Sequence, residues 1–142
     1  YWRLHDIKGV GDIEGPSIEY HLFCAGTGVT WSEEEFVRAA ERVLSLERAL
    51  QVRHWARDRE MDETVLPYFE RTEFYQSPFL DKRYGLDRAQ FKPLVDEFYR
   101  LHGWDPETGW PTRERMSELG LRDAYEPMVY GAANARDRNP GL

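Results

Sequence analysis

The sequence predicts an all-α fold, a single irregular multi-helix domain with one long helix and several shorter ones. Three observations predict it. Ser32-Glu33-Glu34-Glu35 is a capping box, and apolar residues recur behind it at steps of three and four as far as about Val52. Two further segments, about 87–102 and from Thr112 onward, carry the same spacing between a capping residue and a closing glycine. No segment alternates apolar and polar residues at the strand period, and there is no internal repeat.

Length and composition bound the rest. A chain of 142 residues and 16.8 kDa suits one domain and buries roughly two-thirds of its unfolded surface, enough for a core without staples. The single cysteine, Cys24, excludes an intramolecular disulfide and an all-cysteine metal site. Apolar runs are only a few residues long, so nothing reads as a membrane span. The net charge is −7, and the basic residues, sixteen Arg against three Lys, interleave with acids. A phosphate backbone needs a concentrated positive face, so nucleic acid is a poor partner. The start at Tyr1-Trp2-Arg3 has neither Met nor apolar run and reads as a cut edge rather than a signal peptide.

Taken in order, residues 1–16 read as irregular, with breakers at Gly9, Gly11, Gly15 and Pro16. Ser17 is positioned to cap a short helix through Phe23 or Ala25, with Ile18, Leu22 and Ala25 on one face and Gly26-Thr27-Gly28 ending it. The long helix follows the capping box. Three acids suit its positive end, and Phe36, Val37, Ala40, Val43, Leu44, Leu46 and Leu50 supply its apolar positions. Residues 53–86 read as loop with apolar anchors at Val65-Leu66-Pro67 and Ser77-Pro78-Phe79-Leu80 and room for a short helix.

Asp87 caps the next helix, with Gln90 in the reciprocal position and Phe91, Leu94, Val95 and Phe98 inward. Pro93 predicts a kink or a restart at Lys92, because a proline past the first turn clashes with the preceding carbonyl. Gly103 ends it. A turn-rich loop over Gly103–Gly109 leads to Thr112 as N-cap of a third helix, with Met116 and Leu119 inward and a glycine C-cap at Gly120-Leu121. The helical domain is expected over 17–130, and 131–142 as a flexible tail.

Few residues suggest chemistry by themselves. His5, His21, His54 and His102 are scattered with no i, i+3 or i+4 pair, and neither HExxH nor CxxC occurs. Cys24 reads as a buried inert thiol, with metal ligation the rival reading. Gly9-Val10-Gly11 and Gly26-Thr27-Gly28 are too short for a phosphate-cradling loop. Glu47 and Arg48 interrupt the apolar face of the long helix, which points to a partly buried structural ion network rather than an acid–base pair. Phe98, Tyr99, Trp104 and Trp110 read as a core cluster or a docking surface for another domain.

Three segments together resemble one family. Glu41-Arg42-Val43-Leu44-Ser45-Leu46-Glu47-Arg48, continuing to Gln51-Val52-Arg53, resembles the GERI-x-NLER-x-FN-x-R helix of the tungsten-containing aldehyde ferredoxin oxidoreductases. Asp62-Glu63-Thr64-Val65-Leu66-Pro67 resembles that family's DD-x-LP segment. Leu86-Asp87 through Phe91, Asp96-Glu97-Phe98-Tyr99, Leu101-His102-Gly103-Trp104-Asp105, Gly109-Trp110-Pro111-Thr112 and Leu119-Gly120-Leu121 resemble its C-terminal run, and Thr27-Gly28 sits where a TG precedes the long helix. Each motif is weak alone; their order over residues 20–121 is specific.

The resemblance implies the family's helical C-terminal domain. It implies an enzyme that oxidises an aldehyde to a carboxylic acid and passes electrons to ferredoxin, with a tungsten bis-pterin and one 4Fe-4S cluster in the full-length protein and neither in the isolated domain. It implies the remaining domains of the same enzyme as partners, a cytoplasmic location, and an isolated chain that walls the cofactor and substrate channel without turning over. Asp6 and Gly9 match the Asp and Gly of the family's D-x-x-G-L-C segment and are carried over as pterin-side residues, but Gly11 stands where the cluster cysteine belongs. Cys24, three residues before Thr27, is too near the TG segment for that position and stays a remote metal candidate. The rival reading is a non-catalytic helical interaction module derived from the family.

Overall fold

The structure, a computed structural model, describes residues 17–64 and 88–138. The segment over 1–16, the loop anchors after Thr64 and the Asp87 cap lie outside them. The described residues form six α-helices and no strand; Trp104 and Pro111 make one isolated antiparallel bridge. The all-α expectation holds. Contacts group the chain into two compact units, Tyr1–Glu41 and Arg42–Leu142.

In the first unit α1 covers Ile18–Thr27 and ends two residues beyond the expected stop, at Gly28, whose φ of 73° lets its N–H reach the Cys24 carbonyl. Ser17 is not its hydrogen-bonding cap. It already has helical dihedrals, and its Oγ donates to Glu33 Oε1 at 2.8 Å. Tyr20, Phe23, Trp31 and Phe36 form a ring cluster, and the Tyr20 hydroxyl donates to the Trp31 carbonyl.

The long helix α2 spans Glu33–Trp55, three residues past the expected end. Its capping box forms as expected: Ser32 N–H donates to Glu35 Oε2 at 2.7 Å, and Glu35 N–H donates to Ser32 Oγ at 3.2 Å. The expected apolar face does not lead to the core. Ser45, Arg48, Ala49 and Val52 are buried, whereas Val37, Val43, Leu46 and Leu50 are exposed. The expected periodicity rests on Phe36, Val37, Ala40, Val43, Leu44, Leu46 and Leu50, whereas the helix buries Ser45, Arg48, Ala49 and Val52.

The reason lies in how closely the helices of the second unit approach. α6 (Arg122–Arg138) sets Met128, Ala132 and Ala135 into one core with Ala49, Val52, Ala56 and Met116. Helix axes come this close only where side chains are small. At Gly131 an added Cβ would stand 2.8 Å from the Arg53 carbonyl oxygen, a backbone atom, and nearer still to Arg53 Cγ. Gly131→Ala is therefore expected to destabilise the chain by about 1–3 kcal/mol in urea unfolding, although alanine is the better helix former. α6 also corrects the expected tail: the chain stays helical through Gly131 as far as Arg138, with Ala132 and Ala135 buried.

The remaining helices are short and well terminated. α3 (Arg59–Glu63) starts at Asp58, whose side chain accepts from Met61 N–H. α4 (Arg88–Leu101) runs through Pro93 without restarting at Lys92. α5 (Arg113–Glu118) starts at Thr112, whose hydroxyl accepts from Arg115 N–H, as expected. α4 and α5 end alike. Trp104 N–H bonds to the Tyr99 carbonyl and Gly103 N–H to Arg100. Likewise Leu121 N–H bonds to Met116 and Gly120 N–H to Ser117. Both are Schellman motifs, with Gly103 and Gly120 at positive φ.

Candidate functional site

The polar centre of the second unit is the Asp62 carboxylate, on α3. Its Oδ1 accepts from Arg48 Nη1 at 3.0 Å and Arg57 Nε at 2.7 Å; its Oδ2 accepts from Arg48 Nη2 at 2.6 Å and the Tyr99 hydroxyl at 2.6 Å. Arg48, only 5% exposed, also donates through Nε to the Gly109 carbonyl at 2.8 Å. The guanidinium lies 5.4 Å from the centre of the Trp104 ring, which stacks on Tyr99. Five sequence segments, α2, the turn after it, α3, α4 and the Gly103–Gly109 loop, thus meet at the Arg48–Asp62 pair.

A buried arginine is tolerable only with its donors paired and its charge opposed. The bidentate Arg48–Asp62 contact and the Gly109 carbonyl do both. Burial alone would raise the Asp62 carboxyl, but the hydrogen bonds from Arg48, Tyr99 and Arg57 outweigh it and hold the group below the usual carboxylate range. Burial and the neighbouring Asp62 carboxylate push the Tyr99 phenol well above its ordinary value. Asp62 is thus a fixed anion with both oxygens engaged, and Tyr99 a fixed neutral donor.

Over this floor lies a cleft of about 300 Å³ between α2 and α4. Leu44, Val95 and Phe98 form its apolar walls, Glu47 and Gln51 its polar side, and Arg57 stands beside Asp62. At the start of α3, Arg59 ties the unit together by bonding to Glu63, Asp96 and the Pro106 carbonyl.

The sequence-level expectation of a partly buried ion network at Glu47-Arg48 holds for Arg48, but Glu47 is exposed and the partner is Asp62, fourteen residues on. The expected aromatic cluster divides. Phe98, Tyr99 and Trp104 group with His102, while Trp110 packs against the core and donates from Nε1 to the Arg57 carbonyl. Cys24 is a half-buried free thiol on α1. Asp6 and Gly9 lie outside the described residues. Among the described residues no group of three or more His, Cys, Asp or Glu could hold a metal ion.

The residues of the lock are also the residues of the motifs: Arg48 from the helix motif, Asp62 from the acidic segment, Tyr99, Trp104 and Gly109 from the C-terminal run. A family model described as aldehyde ferredoxin oxidoreductase, domains 2 & 3, matches residues 7–121. The chain belongs to the aldehyde ferredoxin oxidoreductase family. The match takes in the whole lock and stops at Leu121, where the second Schellman motif closes; α6, which completes the core, lies beyond it. A match to domains 2 and 3 makes this an oxidoreductase family whose members carry a further domain. No solved structure was found to match the chain. Among the described residues no helix is long and apolar enough to cross a membrane.

Proposed function

We propose that this chain is the helical C-terminal part of an aldehyde ferredoxin oxidoreductase-like enzyme of the cytoplasm, which oxidises an aldehyde to a carboxylic acid and delivers the electrons to ferredoxin. Its role there is to wall the cofactor and substrate channel with the cleft between α2 and α4. The observation that carries this reading is the convergence of the family's ordered motifs on one closed polar lock beneath that cleft.

Aldehyde oxidation needs a two-electron acceptor and an oxygen from water, and a tungsten bis-pterin, when bound, supplies the acceptor. The residues of this chain contribute something else. Asp62 has no free lone pair suited to taking a proton, and Tyr99 keeps its own. The floor they form is proton-inert, which suits a wall that positions an apolar substrate and keeps bulk water out.

The test is the colour and metal content of the 142-residue chain beside a polypeptide that includes the upstream coding sequence. The chain alone is expected to be colourless, free of tungsten and iron by mass spectrometry, and unable to reduce a viologen dye with aldehyde. The longer protein is expected to do so. A brown, tungsten- and iron-bearing 142-residue chain would overturn the reading.

A further inference from the structure

The cleft between α2 and α4 offers hydrogen bonds that no described residue accepts. Arg57 gives Asp62 only its Nε, and its two terminal nitrogens have no partner among the described residues. Its side chain is 40% exposed, so those nitrogens are within reach of a ligand. Trp104 also lines the cleft. It is 5% exposed, and its indole Nε1 is buried with no hydrogen-bond partner among the described residues. A buried donor left unpaired is costly, and folded proteins leave few of them.

Acceptors are scarce in the same place. Both Asp62 oxygens are taken, by Arg48, Arg57 and Tyr99. Two guanidinium groups face that one carboxylate, which leaves one positive charge over. Glu47 lines the cleft too, but it is exposed to water and has no ion-pair partner among the described residues. The floor therefore lacks an acceptor that carries negative charge. A carboxylate is the group that matches the forked N–H donors of a guanidinium.

The walls set the rest of the ligand. Leu44 and Val95 are aliphatic, and Phe98 stands edge-on to Trp104 with ring centroids 5.7 Å apart. Phe98 is 43% exposed, so it has room to turn and let an acceptor reach the indole. A dry cavity of about 150 Å³ takes one benzene. The cleft, at about 300 Å³, has room for one ring and a short substituent. Aromatic rings attract one another edge-to-face or offset, so a planar ring suits these walls better than a saturated one.

We propose that this cleft binds a small monoaromatic carboxylate, its ring against Phe98 and the aliphatic wall and its carboxylate held by the Arg57 guanidinium and the Trp104 indole N–H. The inference rests on the channel-wall reading for its meaning: the aldehydes this chain serves are then aromatic ones.

Benzoate is the probe, titrated into the ¹⁵N-labelled 142-residue chain and read from the indole N–H signals. The sequence has five tryptophans, and the Trp104 signal is the one missing from Trp104→Phe. Benzoate is expected to shift that signal saturably, with a dissociation constant of about 1 mM, the scale for a ligand of so few atoms. Benzamide, of the same shape but uncharged, is expected to bind about fivefold more weakly, and the cation benzylamine to leave the signal in place. Arg57→Gln is expected to weaken benzoate about tenfold with an unchanged helical circular dichroism spectrum. Glu47→Gln is expected to tighten benzoate about two- to fivefold and to leave benzamide unchanged. The three ligands on the wild-type chain decide the matter without any variant. An unmoved Trp104 signal through about 10 mM benzoate, benzamide or benzylamine binding as tightly as benzoate, or a folded Arg57→Gln chain of wild-type affinity would each overturn the proposal. The channel-wall reading has a separate readout in the metal content and dye reduction of the longer protein. A longer protein without metal, beside a cleft that binds benzoate, defeats that reading alone; an active longer protein with an unmoved Trp104 signal defeats this inference alone.

Discussion

Asp62→Ala is expected to cost about 3–5 kcal/mol of unfolding free energy, the scale on which removing one partner of a buried ion pair destabilises a protein. The reason is the residue it abandons. Arg48 is almost wholly buried, and without Asp62 only the Gly109 carbonyl and the Trp104 ring face its charge. Arg57 and the Tyr99 hydroxyl lose their acceptor in the same change. Against a total stability of about 5–15 kcal/mol, a loss of this size shifts the urea midpoint unmistakably. The double variant Arg48→Met/Asp62→Leu removes both charges and is expected to cost clearly less than the sum of the two single changes, the mark of coupled partners.

The same pair sets an acid limit with a definite sign. The folded Asp62 carboxyl titrates below its ordinary value of 3.8. Its contribution to stability is therefore fully present above the unfolded value and disappears as pH falls through the folded one. Stability of the wild-type chain should decline below about pH 4, and that part of the decline should be missing in Asp62→Ala. Urea midpoints measured from pH 6 downward on both proteins check it; parallel curves would mean that Asp62 is not held as an anion.

Legibility in the sequence followed how local each signal was. The Ser32–Glu35 capping box, the Thr112 cap and the glycine stops at Gly103 and Gly120 are made by residues three to five apart, and all form as expected. The core stripe of α2 is not legible from its apolar residues, because the buried positions are Ser45, Arg48, Ala49 and Val52. Ala49 is buried in one core with Met128, Ala132 and Ala135 of α6, a helix absent from the sequence-level expectation, in which the last helix ends at Gly120-Leu121 and a tail begins at Gly131. For the site, Arg48 stood out as a charge within an apolar stripe. Nothing local pointed to Asp62, Tyr99 or Gly109, which lie fourteen, fifty-one and sixty-one residues away and are joined to Arg48 only by the fold. The family motifs held that information in another form, since their ordered residues are the ones that meet.

Gly109→Ala is the second change expected to break this centre, and it separates two costs that glycines usually mix. Gly109 has a φ of 71°, and its missing side chain leaves room for others: an added Cβ would stand 2.6 Å from Arg48 Nη2 and 3.0 Å from both Cζ and the hydroxyl oxygen of Tyr99. Gly120 has nearly the same dihedral, 70°, but nothing lies within 4 Å of its added Cβ. Gly120→Ala should therefore cost only the left-handed conformation, about 1–2 kcal/mol. Gly109→Ala carries that cost and also displaces a guanidinium that has nowhere else to pair, an overpacking cost of about 1–3 kcal/mol more, for a total of about 2–5 kcal/mol. The difference between the two alanine variants, read from urea unfolding, isolates the packing of Arg48 and Tyr99 against the loop. Equal costs would mean that Gly109 serves the turn alone and that the Arg48–Asp62–Tyr99 lock tolerates its displacement.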